Sequence, residues 1–174
     1  GGNLSAADVL PLLQSREAAL RKTAEWICDR HPEWGDALAE HYTGELRNIK
    51  TTAQSQALAA RLAKLATAPA IQAVLTRGLI DVSRGKAERM TVLAAMASAP
   101  VNPVPDDWLD AIDSTAEPLQ QAAVQALASL RLAKTQRQRV AKTLRRFGRS
   151  ATLSDRQRTL AYYGISDGLL IPDE

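Results

Sequence analysis

Between Arg131 and Arg158 the chain carries ten lysines or arginines and a single acid, Asp155. Arg139, Lys142, Arg146 and Arg149 recur at intervals of three and four, which places them on one face of a helix, opposite Val140, Leu144 and Phe147. A row of guanidinium and ammonium groups can track phosphates through charge-assisted hydrogen bonds and counterion release. The same row also serves as a solvated face whose acidic complement lies on a neighbouring repeat or domain, and charge runs more often do that. Few aromatic residues accompany it, which argues against stacking of single-stranded bases.

The other groups with chemistry in them have plainer explanations. Asp106, Asp107, Asp110 and Asp113 surround Trp108. Paired carboxylates can transfer protons, but two of these sit in the first turn of a short helix, where they complement the dipole. Cys28, His31 and His41 do not make a zinc site, since structural zinc needs four ligands and a second pair is missing. The single cysteine packs as a small apolar residue. Trp26, Trp34 and Trp108 are expected in core or inter-helix packing. Gly78, Gly85, Gly148, Gly164 and Gly168 are isolated and follow helix-end or turn logic, so no glycine-rich phosphate loop exists. No catalytic, cofactor-binding or metal-ligating residue is assigned, and no cofactor is expected.

The elements that must carry these residues are helical. Alanine and leucine dominate a 45% apolar composition with one Phe, three Tyr and three Trp, which favours closely spaced helices over sheet. Helices are expected over 5–14, 16–30, 32–46, 51–67, 69–80, 86–98, 106–113, 118–132 and 135–147, with a tenth from 154 that includes Leu160 and Tyr163. Pro11 interrupts the first, and His31-Pro32 ends the second. Ala19, Leu20, Ala24 and Ile27 mark the buried stripe of the second. Pro100 to Pro105, with three prolines, is a stiff connection inside one domain. No run approaches the roughly 18 apolar residues of a membrane span. Gly1-Gly2 and the absent initiating Met point to an excised domain, which leaves the compartment open.

The helices repeat. Ser15, Asn48, Ser83, Ser114 and Ser150 each precede the second helix of a pair, at spacings of 33, 35, 31 and 36. Their side chains are expected to satisfy the unpaired N–H groups of that helix. Leu58, Leu93, Val124 and Leu160 recur at 35, 31 and 36. Arg21, Arg89 and Arg156 share a third position, held by Gln54 and Gln120 in the other two units.

The first unit, LPLLQSREAALRKTAEWI, resembles a HEAT repeat: a proline-kinked first helix, a small polar turn residue, and a basic residue near the start of an Ala-rich second helix. The unit from Trp108 to Leu130 resembles it well. The resemblance implies an all-α fold of about five antiparallel helix pairs, stacked as a right-handed α-solenoid with the second helices lining a concave surface. The repeats span approximately 3–31, 32–67, 68–99, 104–132 and 135–164, with a tail over 165–174, in one domain over 1–174. A compact ten-helix bundle is the alternative; the shared period favours the solenoid.

HEAT consensus residues specify packing, not chemistry, so the expected function is a non-catalytic scaffold. Its partners would be another protein or neighbouring domains of the same chain, with no membrane involved. The alternative is nucleic-acid binding through the basic face. Some HEAT-like proteins are DNA glycosylases with an acid and tryptophans in a basic groove; Asp113 and Trp108 fit that description superficially, but no motif matches and no catalytic residue carries over. Ala- and Arg-rich HEAT segments of this kind also occur in bacterial extracytoplasmic proteins that join a sugar-dehydrogenase-like propeller to a c-type haem domain. Without Cys-x-x-Cys-His here, haem chemistry in such a protein would lie outside this chain.

Overall fold

The computed structural model of the chain describes residues 4–149 together with 153–155, 158, 159 and 161. Over these it is all-helical, with no strand among the described residues. The elements are α1 (Ala6–Leu13), α2 (Ala18–Cys28), a 3-10 turn (Pro32–Trp34), α3 (Gly35–Arg47), α4 (Thr52–Leu65), α5 (Pro69–Ile80), α6 (Lys86–Ser98), α7 (Asp106–Asp113), α8 (Glu117–Ser129) and α9 (Lys134–Gly148). The expected tenth helix, with Leu160, Tyr163 and Ser150 before it, lies largely outside the described residues.

Local chemistry explains where these helices begin. The Thr51 hydroxyl accepts from the Gln54 N–H (3.2 Å) and the Gln54 side chain accepts from the Thr51 N–H (3.2 Å), a reciprocal cap on α4. The Ser5 N–H donates to Asp8 (2.9 Å) at the start of α1. Proline opens α5 at Pro69 and occupies the first turn of α8 at Pro118, where a missing N–H costs nothing. Asp36 on α3 caps α5 from outside, accepting from the Ala70 N–H at 2.9 Å.

The helices pack in sequence-skipping order. α4 lies against α6 and α6 against α8, while α1 meets α3, α3 meets α5 and α5 meets α7. Consecutive helices also meet: α1 contacts α2, α3 contacts α4 and α5 contacts α6. Hydrogen bonds between helices keep the same step. Ser55 with Thr91 (2.7 Å), Arg61 with Glu25 (2.5 Å) and Trp108 with Gln72 (3.3 Å) each join residues 36 apart. One continuous apolar cluster runs from Val9 to Ala161 and includes Leu38, Leu62, Leu75, Leu93, Leu127 and Phe147. Val104, in the proline-rich connection, is part of it, and the Asn102–Pro103 peptide is cis.

Several expectations need correction. Ser15, Asn48, Ser83 and Ser114 do not cap the following helix, and Ser150 lies outside the described residues. Asn48 is the C-cap of α3 and its amide donates back to the Gly44 carbonyl (2.9 Å); Ser114 is the C-cap of α7 and donates to Ala111 (2.8 Å). They satisfy the last carbonyls of the first helix, which are as unpaired as the N–H groups of the second. Ser15 accepts from the Glu17 N–H (3.1 Å) and Ser83 donates to Asp81 (2.6 Å), both inside the turn. The Arg/Gln position clamps the connection in three units, whereas the side-chain oxygen of Gln120 has no partner among the described residues and Arg156 lies outside them. Arg21 donates to the Ser15 carbonyl (2.6 Å), Gln54 accepts from the Lys50 N–H (3.0 Å), and Arg89 donates to the Leu79 carbonyl (2.9 Å).

The buried stripe of α2 is also narrower than its pattern. Ala24 and Cys28 are buried, but Ala19 is exposed and Leu20 is 41% exposed. The reason is that α2 stands off from α4: ion pairs from Arg61 and Lys64 to Glu25 and Asp29 span the gap where later second helices pack side by side. Gly78 does not end a helix. It is buried inside α5, and a Cβ there would meet Val92 of α6 at 2.9 Å.

Candidate functional site

The basic helix and the acidic helix are two halves of one structure. Asp106, Asp110 and Asp113 repeat at four and three on α7, and Arg139, Thr143 and Arg146 do the same on α9. Arg139 pairs with Asp110 and lies 3.8 Å from Asp106. The Thr143 hydroxyl donates to Asp113 (2.5 Å), and Arg146 donates to both carboxylate oxygens of Asp113, at 2.8 and 3.2 Å. Buried Gln136 extends the ladder, donating to the Val104 carbonyl (2.7 Å) and to Asp106 (3.1 Å). The carboxylates around Trp108 therefore hold α9 against α7.

The four residues read as one basic face divide. Arg139 and Arg146 turn toward α7 and are neutralised there. Lys142 and Arg149 are exposed, and Arg145 joins them on the solvent side; none of the three has an acidic partner among the described residues. The face is rotated because Gln136, Val140, Thr143 and Phe147 form the buried side, which leaves Gln138, Lys142, Arg145 and Arg149 outermost.

The tryptophans separate as well. Trp108 is fully buried and donates its indole N–H to the Gln72 carbonyl. Trp34 is half-buried and stacks on His31 at 4.1 Å. Trp26 is 56% exposed, contrary to the packing role expected of it, and carries the Arg30 guanidinium 3.6 Å above its ring. His31 pairs with Glu33 (2.6 Å) and His41 lies 3.6 Å from Glu45. Cys28 is buried, and burial pushes its thiol up from the ordinary range. No group of three or more potential metal ligands occurs among the described residues.

An open cleft lies between α2, the end of α3 and α4, lined by Glu25, Glu45, Asn48, Gln54, Leu58 and Arg61 among others. Arg61 dominates it. Burial works against its charge, but its hydrogen bond to Glu25 and the nearby Glu25, Tyr42 and Asp29 hold the guanidinium above the ordinary arginine value. Tyr42 is 1% exposed, and its hydroxyl has no hydrogen-bond partner among the described residues. Burial, reinforced by Cys28, Glu45 and Asp29, raises its pKa well above the usual tyrosine value, with Arg61 opposing.

Tyr42→Phe therefore removes an uncompensated buried hydroxyl, and the expected result is a gain of about 1 kcal/mol in urea unfolding. The sign of the pH dependence follows. The unfolded tyrosine loses its proton near pH 10.0 while the folded one keeps it, so stability is complete below that pH and falls as pH rises above it. The Phe variant should show a shallower alkaline decline; an equally steep one would contradict this assignment.

A second surface escapes periodicity arguments altogether. Ala53, Ala57 and Ala60 on α4, Ala87, Met90 and Ala94 on α6, and Gln121, Gln125 and Ala128 on α8 are all exposed, and each set steps by three and four residues along one helix face. None is charged. Between α4 and α6 this surface dips into a shallow groove lined by Gln56, Ala59, Ala60, Ala63, Ala94 and Ser98 among others, with Lys64 as the charged residue of its lining. Alanine counts equally toward core and surface in a sequence pattern, so the only prior signal was that these helices hold more alanine than one buried stripe needs.

No family model, curated protein or solved structure matches the chain.

Proposed function

We propose that the chain is a HEAT-like α-solenoid and acts as a non-catalytic scaffold. In this reading a protein partner, or a neighbouring domain of the same chain, lies across the second helices. The observation that carries it is the uncharged face repeated on α4, α6 and α8. Three successively packed helices present uncharged and mostly alanine side chains, and small residues let another backbone approach closely with little side-chain entropy to lose. Support for the solenoid comes from the packing order: α4 to α6 to α8 on one side, α1 to α3 to α5 to α7 on the other. Cross-helix bonds separated by 29 to 36 residues, three of them by 36, point the same way. The right-handed twist and a concave second-helix surface are what the HEAT resemblance adds. The pairing of α7 carboxylates with α9 arginines supports a structural over a catalytic role for Asp113.

The test is affinity capture from the native host with the wild-type chain and an Ala60→Glu, Ala94→Glu, Gln125→Glu variant whose helicity is verified by circular dichroism. The scaffold reading expects a partner held by the wild type and lost by the variant. Equal recovery by both would overturn this surface as the binding face.

A further inference from the structure

We infer that the outward face of α9 binds the phosphate backbone of duplex nucleic acid, through Lys142, Arg145 and Arg149. This site does not depend on the scaffold reading, since it lies on a different helix from the uncharged face.

The argument begins with what α7 leaves over. The stretch from Arg131 to Arg149 contains no acid, and the carboxylates of α7 neutralise its members on one side only. On α9 itself, Lys142, Arg145 and Arg149 remain exposed with no acidic partner among the described residues. At 3.6 residues per turn, Arg145 lies about 120° round the helix from Arg139, on the side away from the acidic α7. An anion can reach these cations without passing Asp106 or Asp110.

The rest of the face narrows the ligand. Thr135 and Gln138 complete it, both exposed, and both carry donors that proteins use on phosphate and sugar oxygens. From Thr135 to Arg149 the face runs about 21 Å, long enough to follow several phosphates of one strand. It contains no apolar or aromatic side chain. A protein interface needs such anchors at its centre, and single-stranded bases need aromatic platforms. Contacts to a duplex backbone need neither. A lone negative segment of protein would also find only rim-type charge pairs here.

The test is fluorescence anisotropy with a labelled mixed-sequence duplex. Three phosphate contacts give a slope of log affinity against log salt of about −2.7, so binding should weaken about 40-fold between 50 and 200 mM salt. Lys142→Glu, Arg145→Glu, Arg149→Glu in one chain should abolish binding at the lower salt, and the corresponding triple Gln variant should flatten the slope if charge reversal disturbs folding. Arg139→Gln should leave the slope unchanged, because Arg139 is already committed to α7. No binding at 50 mM salt, a slope that survives the triple substitution, or binding of poly-glutamate in place of duplex would each overturn the proposal.

Discussion

Trp108→Ala should destabilise the chain by about 3–5 kcal/mol, read as a lowered urea midpoint with an unchanged slope. Trp108 lies on α7 with its side chain fully buried, and it reaches the Gln72 carbonyl of α5 across a 36-residue step. It thus fills the joint between α5 and α7. Truncation to alanine removes the largest buried side chain described and leaves a cavity that two rigid helices cannot collapse to fill. Trp108→Phe separates the two contributions. It keeps most of the volume but loses the indole N–H, and the Gln72 carbonyl still accepts from the Thr76 hydroxyl at 3.0 Å. That variant should lose only about 1 kcal/mol. A loss below about 1 kcal/mol for Trp108→Ala would mean the joint carries little of the stability.

The second large effect comes from adding atoms. Gly35 opens α3 against the α4–α5 connection, and a Cβ there would sit 2.4 Å from the Ala68 Cβ, 3.2 Å from the Leu65 carbonyl oxygen and 3.3 Å from Ile71. Alanine is the better helix former, yet Gly35→Ala should lose about 1–3 kcal/mol because neither neighbour is the free end of a flexible side chain. Ala68→Gly in the same chain should recover part of that loss. Ala68 is the N-cap of α5, in extended conformation, where glycine is tolerated. The double-mutant cycle should show a coupling of at least about 0.5 kcal/mol. Additive effects of the two substitutions would show that Gly35 and Ala68 do not limit the approach of these elements.

Helix positions were legible because local signals agree with the tertiary fold. Pro69 begins α5, Thr51 with Gln54 begins α4, and α6 and α7 fall where their apolar patterns lie. The period of the turn residues was legible too, but their role was not. A Ser or Asn between two helices can serve the carbonyls behind it or the N–H groups ahead, and the sequence does not say which. Trp26 and Leu20 read as buried because α2 has an apolar stripe; their exposure depends on how far α4 stands away, which no pattern within α2 reports. The basic face failed for a related reason. Spacing placed Arg139 and Arg146 beside Lys142 and Arg149, and it equally aligned Asp106, Asp110 and Asp113. Only the packing of α9 beside α7 decides which cations are neutralised. Gly35, Tyr42 and the uncharged alanine face were missed because each acts through a neighbour more than 20 residues away or through plain exposure.

The most direct test of a stacked array is one distance along the second helices. Spin labels at Thr23 on α2 and Gln125 on α8, both exposed, with Cys28→Ala to remove the native thiol, would be measured by pulsed dipolar spectroscopy. Two packed interaxial steps of about 8–10 Å, from α4 through α6 to α8, together with the wider step from α2 to α4, predict a separation above about 25 Å. A distribution centred below about 20 Å would place the first and last of these helices side by side, as in a compact bundle, and would contradict the solenoid.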